Sequence, residues 1–164
     1  LQRRAVARCL LLNPEFIVAD EPVSALDVSV QAQILNLILD LRDRMGLTIL
    51  FISHDLNVVQ KICDRVAVVY LGVVVEEASK EELFTHTAHP YTKALMDVKP
   101  IEHPSLRTNK QILMGDIPSA VNVKEGCRFA GRCPRCEKGL CDVVTPPLVE
   151  ISPEHKAACH HPLQ

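Results

Sequence analysis

Two acids stand side by side at Asp20-Glu21, at the end of the short apolar run Phe16 to Ala19. In open α/β sheets, ligands collect at the carboxyl ends of strands. One acid there can hold a Mg²⁺ that bridges nucleotide phosphates, and a second can orient or deprotonate an attacking water. Further along, the β-rich run Thr48 to Ile52 ends in Ser53-His54-Asp55. That sets an imidazole at a second strand tip, where it could hydrogen-bond a γ-phosphate and the same water. Either pattern alone also describes a strand ending in a solvated turn; the two together point to a phosphate site. A different chemistry gathers at the other end of the chain. Cys127, Cys133, Cys136, Cys141 and Cys159 fall within the last 38 residues. Without a secretory signal, such clustering favours a metal site over disulfides. Cys9 and Cys63 sit in apolar helical stretches and read as core residues.

The elements that must position these groups follow from periodicity. Residues 1 to 12 have helical spacing until Asn13-Pro14 breaks it. Phe16 to Ala19 reads as a buried strand. Asp27 is placed to cap a helix over Val28 to Met45, in which Ile34, Leu37, Ile38 and Leu41 form one buried face. Gly46 stops that helix, and Thr48 to Ile52 is the next strand. A helix near Asp55 to Cys63 leads to strands at Arg65 to Tyr70 and Val73 to Glu76. This alternation predicts an α/β fold with a parallel sheet. Short amphipathic helices are predicted near Lys80 to Phe84 and Tyr91 to Asp97. From Lys99 onward prolines are frequent, and an irregular tail is expected. Being poor in large apolar residues, that tail needs another source of order, which its cysteines could supply.

Hydrophobic residues make up 48% of the 164 and charged residues 23%, as in ordinary soluble globular proteins. A formal net charge of -2 leaves no basic footprint for nucleic acid. The longest apolar run, Val66 to Val75, is about half of the ~20 residues that a membrane-crossing helix needs. The chain starts inside a helical pattern with no capping residue before it, so a truncated chain is expected.

Asp20-Glu21-Pro22 followed by Ser24-Ala25-Leu26-Asp27 resembles the Walker B strand and D-loop of ABC-type ATPases. Ile52-Ser53-His54-Asp55 is similar to their switch-histidine loop, and Gln2-Arg3 with Ala7-Arg8 resembles the helix after the signature loop. Val23 and Arg4 depart from the usual pattern, away from the proposed chemistry. The resemblance implies part of a P-loop NTPase domain. In it Asp20 supports the Mg²⁺ shell, Glu21 is the general base for ATP hydrolysis and His54 contacts the γ-phosphate. Ser24, Ala25, Leu26 and Asp27 line the nucleotide interface, with Ala25 to Asp27 facing a partner ATPase. No G-x-x-x-x-G-K-[ST] phosphate loop, glutamine loop or signature loop is present, so ATP hydrolysis by this chain alone is not expected.

Val28 to Leu35, Tyr70-Leu71-Gly72, His89-Pro90-Tyr91-Thr92 and Gly115-Asp116-Ile117-Pro118-Ser119 are similar to the peptide and nickel importer subgroup. Residues 1–78 match ABC ATPases broadly, and residues 79–164 match the oligopeptide/dipeptide C-terminal region. The implied protein is a peripheral ATPase on the cytoplasmic face of the membrane, powering import of peptides or a solute such as nickel. Its implied partners are a second ATPase subunit, transmembrane permease subunits and, indirectly, an extracytoplasmic solute-binding protein. Some members of the subgroup hold a [4Fe–4S] cluster in a similar tail, which by position implies Cys127, Cys133, Cys141 and Cys159 as ligands and leaves Cys136 extra. Zinc is the rival metal, through the Cys133-x-x-Cys136 pair with Cys159, His160 or His161, and a set of reduced surface thiols without metal is the third reading. Two other readings stand beside this one: a soluble ABC ATPase outside transport, and a metal-binding or redox module left by truncation.

Overall fold

The computed structural model describes residues 7–24, 26–97 and 125–163. The Gln2-Arg3 and Gly115 to Ser119 motifs and Ala25 lie outside them. By contacts the chain divides into two compact units, Leu1–Cys63 and Asp64–Gln164.

In the first unit, β1 (Phe16–Asp20) and β2 (Thr48–Ile52) pair in parallel, from Phe16↔Thr48 to Asp20↔Ile52. Between them runs α1 (Val28–Met45). Asp27 takes the N-cap position with extended backbone, but its side chain makes no capping bond. Gly46 ends α1 in the left-handed conformation at φ 65°, its N–H bonded to the Arg42 carbonyl. Such a φ suits glycine, which has no Cβ to clash. Asp55 caps α2 (Leu56–Ile62), its carboxylate accepting from the Asn57 N–H at 2.8 Å. Val23, Ile34, Leu35, Ile38 and Val58 form the core, with Ile49, Phe51 and Ile62 against it. The buried face of α1 thus includes Leu35, while Leu37 and Leu41 are half-buried. The strands correct another expectation. Both alternate exposed with half-buried residues rather than being fully buried. Their second face, with Phe16, Val18, Leu50 and Ile52, is exposed, because among the described residues only one side is covered by helix. Cys9, expected in a core, is also exposed.

The second unit opens with β3 (Arg65–Tyr70) and β4 (Val73–Ser79). Only Leu71 and Gly72 join them, at φ 46° and 80°, and a two-residue loop with both φ positive is a type I′ hairpin turn. That loop permits only antiparallel pairing, so the expected parallel sheet is confined to β1 and β2. Ser79 caps α3 (Lys80–Thr85), accepting from the Glu82 N–H at 3.2 Å, and α4 (Pro90–Asp97) follows. The tail then adds β5 (Val149–Ser152) and β6 (His155–Ala157), completing an antiparallel sheet in the order β3-β4-β6-β5. The tail is therefore not irregular throughout. Nor does it lack a core. Phe129 is fully buried among Val68, Tyr70, Val75, Ala78 and Leu83, with its ring edge-on to Tyr70 at 5.3 Å.

Candidate functional site

Parallel pairing of β1 and β2 brings their carboxyl ends together. Asp20 lies opposite Ile52, and the Glu21 N–H donates to the Ile52 carbonyl at 2.9 Å. Glu21 has φ 44°, a conformation that costs a non-glycine residue about 1 kcal/mol. Such strain gathers at functional sites. Directly across the strand ends, His54 Nδ1 stands 2.8 Å from Glu21 Oε1. The hydrogen bond to His54 holds the Glu21 carboxyl below the ordinary carboxylate range. The same bond raises the His54 imidazole, helped by the Glu21 charge. Ser24 donates from its hydroxyl to the Glu21 carbonyl at 3.2 Å, and its N–H to the same oxygen at 3.4 Å. Leu26 packs against the core, its N–H on the Val23 carbonyl at 3.2 Å, and Asp27 is exposed. The chemistry available is an exposed carboxylate and imidazole in contact, with a second carboxylate, Asp20, one residue away.

The cysteines meet in the second unit. Cys127, Cys133, Cys141 and Cys159 line one small concavity together with His89, Phe129 and Arg135. Glycine makes this convergence possible. Gly126 has φ 91°, and a Cβ there would lie 2.5 Å from the Asp142 carbonyl carbon. Its bareness lets the next residue, Cys127, donate from its N–H to the Cys141 carbonyl at 2.7 Å. Burial pushes the Cys127, Cys133 and Cys159 thiols up. Neighbouring sulfurs push further: Cys141 on Cys127, Cys159 on Cys133, Cys127 on Cys159. Cys136 is not among the lining residues, although its thiol hydrogen-bonds Cys141. Among the described residues, no three His, Cys, Asp or Glu side chains converge tightly enough to hold a metal ion. Cys127, Cys133, Cys141 and Cys159 are four thiols around one common space.

Residues 75–141 match the family model described as the oligopeptide/dipeptide transporter C-terminal region. The matched stretch carries most of β4, all of α3 and α4, and three of the four cavity cysteines. Over 158 residues, 96% of the chain, it is 56% identical to a peptide import ATP-binding protein of Brucella ovis, of which it covers 50%. It is 48% identical over 161 residues to the oligopeptide transport ATP-binding protein AppF of Bacillus subtilis, covering 97% of this chain and 49% of the relative. Identity is also 48% over 160 residues to the dipeptide transport ATP-binding protein DppF of Haemophilus influenzae, covering 98% and 49%. The chain spans about half the length of the curated relatives it matches. In this matched stretch the His89-Pro90-Tyr91-Thr92 motif starts α4, with His89, Pro90 and Thr92 buried.

Several residues that build the second site carry no sequence signal of their own. Glu76 is fully buried and accepts from the Ala88 N–H at 2.6 Å and the His89 N–H at 2.9 Å. His155 Nε2 stands 2.8 Å from the same carboxylate. Glu76 thus ties the α4 entrance to strand β6, across a sequence gap that no spacing rule spans. His89, beside the cysteines, is held by burial at a pKa of about 4, partly opposed by the Glu76 charge. Among the described residues, no helix is long and apolar enough to cross a membrane.

Proposed function

We propose that this chain is the C-terminal portion of the ATP-hydrolysing subunit of a peptide importer. The observation that carries this is the Glu21–His54 contact at adjacent ends of two parallel strands, in a chain related along most of its length to peptide import ATP-binding proteins. The domain to which the first unit contributes is a P-loop NTPase of the ABC type. When Mg²⁺-ATP is bound, the metal offsets phosphate charge, with Asp20 supporting its shell. Glu21 takes a proton from the attacking water. In the contact seen here His54 occupies that carboxylate and weakens it as a base. A γ-phosphate that draws His54 away would return Glu21 to its task. Peptides are the favoured solute, since the relatives above are named for peptides, dipeptides and oligopeptides; nickel and a role outside transport draw no support from those names. The exposed face of β1 and β2 agrees with a parallel sheet whose remaining cover lies elsewhere in a longer protein. Partners are a second ATPase subunit and permease subunits at the cytoplasmic face of the membrane. Uptake of labelled dipeptides and oligopeptides by cells carrying Glu21→Gln in the intact subunit tests this. Uptake should fall to background, and undiminished uptake would rule out the assignment.

A second reading concerns the cysteine cavity. The donor set supports a [4Fe–4S] cluster held by Cys127, Cys133, Cys141 and Cys159, with a structural or regulatory role, because all four line one space and Cys136 does not. The buried thiols must give up their protons on binding. Protein purified without oxygen should contain about four irons per chain. Cys127→Ser, Cys133→Ser, Cys141→Ser and Cys159→Ser should each remove them, and Cys136→Ser should not. One zinc and no iron would contradict this reading.

A further inference from the structure

His89 is 1% exposed and lines the cavity with the four cysteines. Its backbone N–H donates to Glu76 Oε2 at 2.9 Å, and its Nδ1 accepts from the Tyr91 N–H at 3.0 Å. The ring rests against Phe129, with centroids 5.8 Å apart. Main chain and ring are both fixed, yet Nε2 is buried without a hydrogen-bond partner. A neutral imidazole that accepts at Nδ1 carries its proton on Nε2. His89 therefore carries an unspent, buried N–H donor on a residue that lines the space with the four cysteines. A buried donor without an acceptor is costly and uncommon in native proteins, so an acceptor that enters this space is favoured by whatever that donor lacks.

We propose that His89 donates from Nε2 to a sulfur of the body held by Cys127, Cys133, Cys141 and Cys159, and tunes its redox behaviour. The inference rests on the cluster reading above. Cluster sulfurs accept hydrogen bonds, and each donor favours the more negative, reduced cluster. Glu76 supports the arrangement from behind, since it anchors the backbone of His89 and, through His155, the strand that leads to Cys159.

Redox titration of protein purified without oxygen tests this with His89→Phe, which keeps the ring volume and removes the donor. The cluster of the variant should titrate at a more negative potential than that of the wild type, and His89→Gln, which restores a donor, should recover part of the shift. Equal potentials in wild type and His89→Phe would overturn the inference while leaving the cluster in place. If His89→Phe fails to load iron, pulsed paramagnetic resonance of the reduced wild-type cluster decides, using ¹⁵N-histidine in a His160→Asn, His161→Asn background. A histidine nitrogen coupling supports the donor, and its absence overturns it. If the wild type itself carries no iron, the cluster reading has failed, which is a different result from either of these.

Discussion

Glu21 and His54 shift one another in opposite directions, and the sign of each shift fixes a testable window. Glu21 is lowered from 4.5, so its share of the contact is present above that value and is lost as pH falls through the depressed one. His54 is raised from 6.5, so its share is present below that value and is lost as pH rises through the elevated one. The contact is therefore tightest between the two ordinary values. Both groups face solvent, so the effect on folding is slight, and the titration itself is the better readout. Nuclear magnetic resonance of the His54 ring should give a lower pKa in Glu21→Gln than in the wild type. An unchanged midpoint would show that the contact does not persist in solution. These two residues were legible in the sequence because strand ends announce themselves by composition. Their direct contact was not legible, because it depends on the register of β1 against β2 and on the positive φ of Glu21.

At the scale of elements, two positions decide whether the tail closes over the cysteines. Gly126→Ala would place a methyl group against the backbone of Cys141 and Asp142 at an unfavourable φ. The expected loss is about 2 kcal/mol or more, in the range of overpacking with backbone strain. Denaturant unfolding checks it. Phe129→Ala empties the centre of the second unit's core, and should cost about 3–5 kcal/mol and speed proteolysis after residue 125. A variant as resistant as the wild type would show that Phe129 does not hold the tail. Periodicity placed α1, α2 and the four strands before residue 80 closely, because helical and alternating patterns over such lengths have few other readings. It did not place β5 and β6. They are four and three residues long and lie among prolines; β6 exists by pairing with β4, a partner distant in sequence, and β5 by pairing with β6. Helix and strand alternation points to parallel order throughout, whereas the two-residue turn at Leu71-Gly72 makes β3 and β4 antiparallel.

For the molecule as a whole, the two compact units carry different groups, a carboxylate and imidazole pair in the first and a set of thiols in the second. The family match at residues 75–141 and the identity to ATP-binding proteins of peptide transport join them in one polypeptide. The central claim is that Glu21 is the base of ATP hydrolysis. It is tested most directly by ATP binding and single-turnover hydrolysis in the intact subunit carrying Glu21→Gln. Amide for carboxylate removes the base and leaves the phosphate contacts, so ATP affinity should stay within about threefold while hydrolysis falls by about 100-fold or more, the usual worth of a positioned base. Hydrolysis at a near-normal rate with ATP bound would contradict the account.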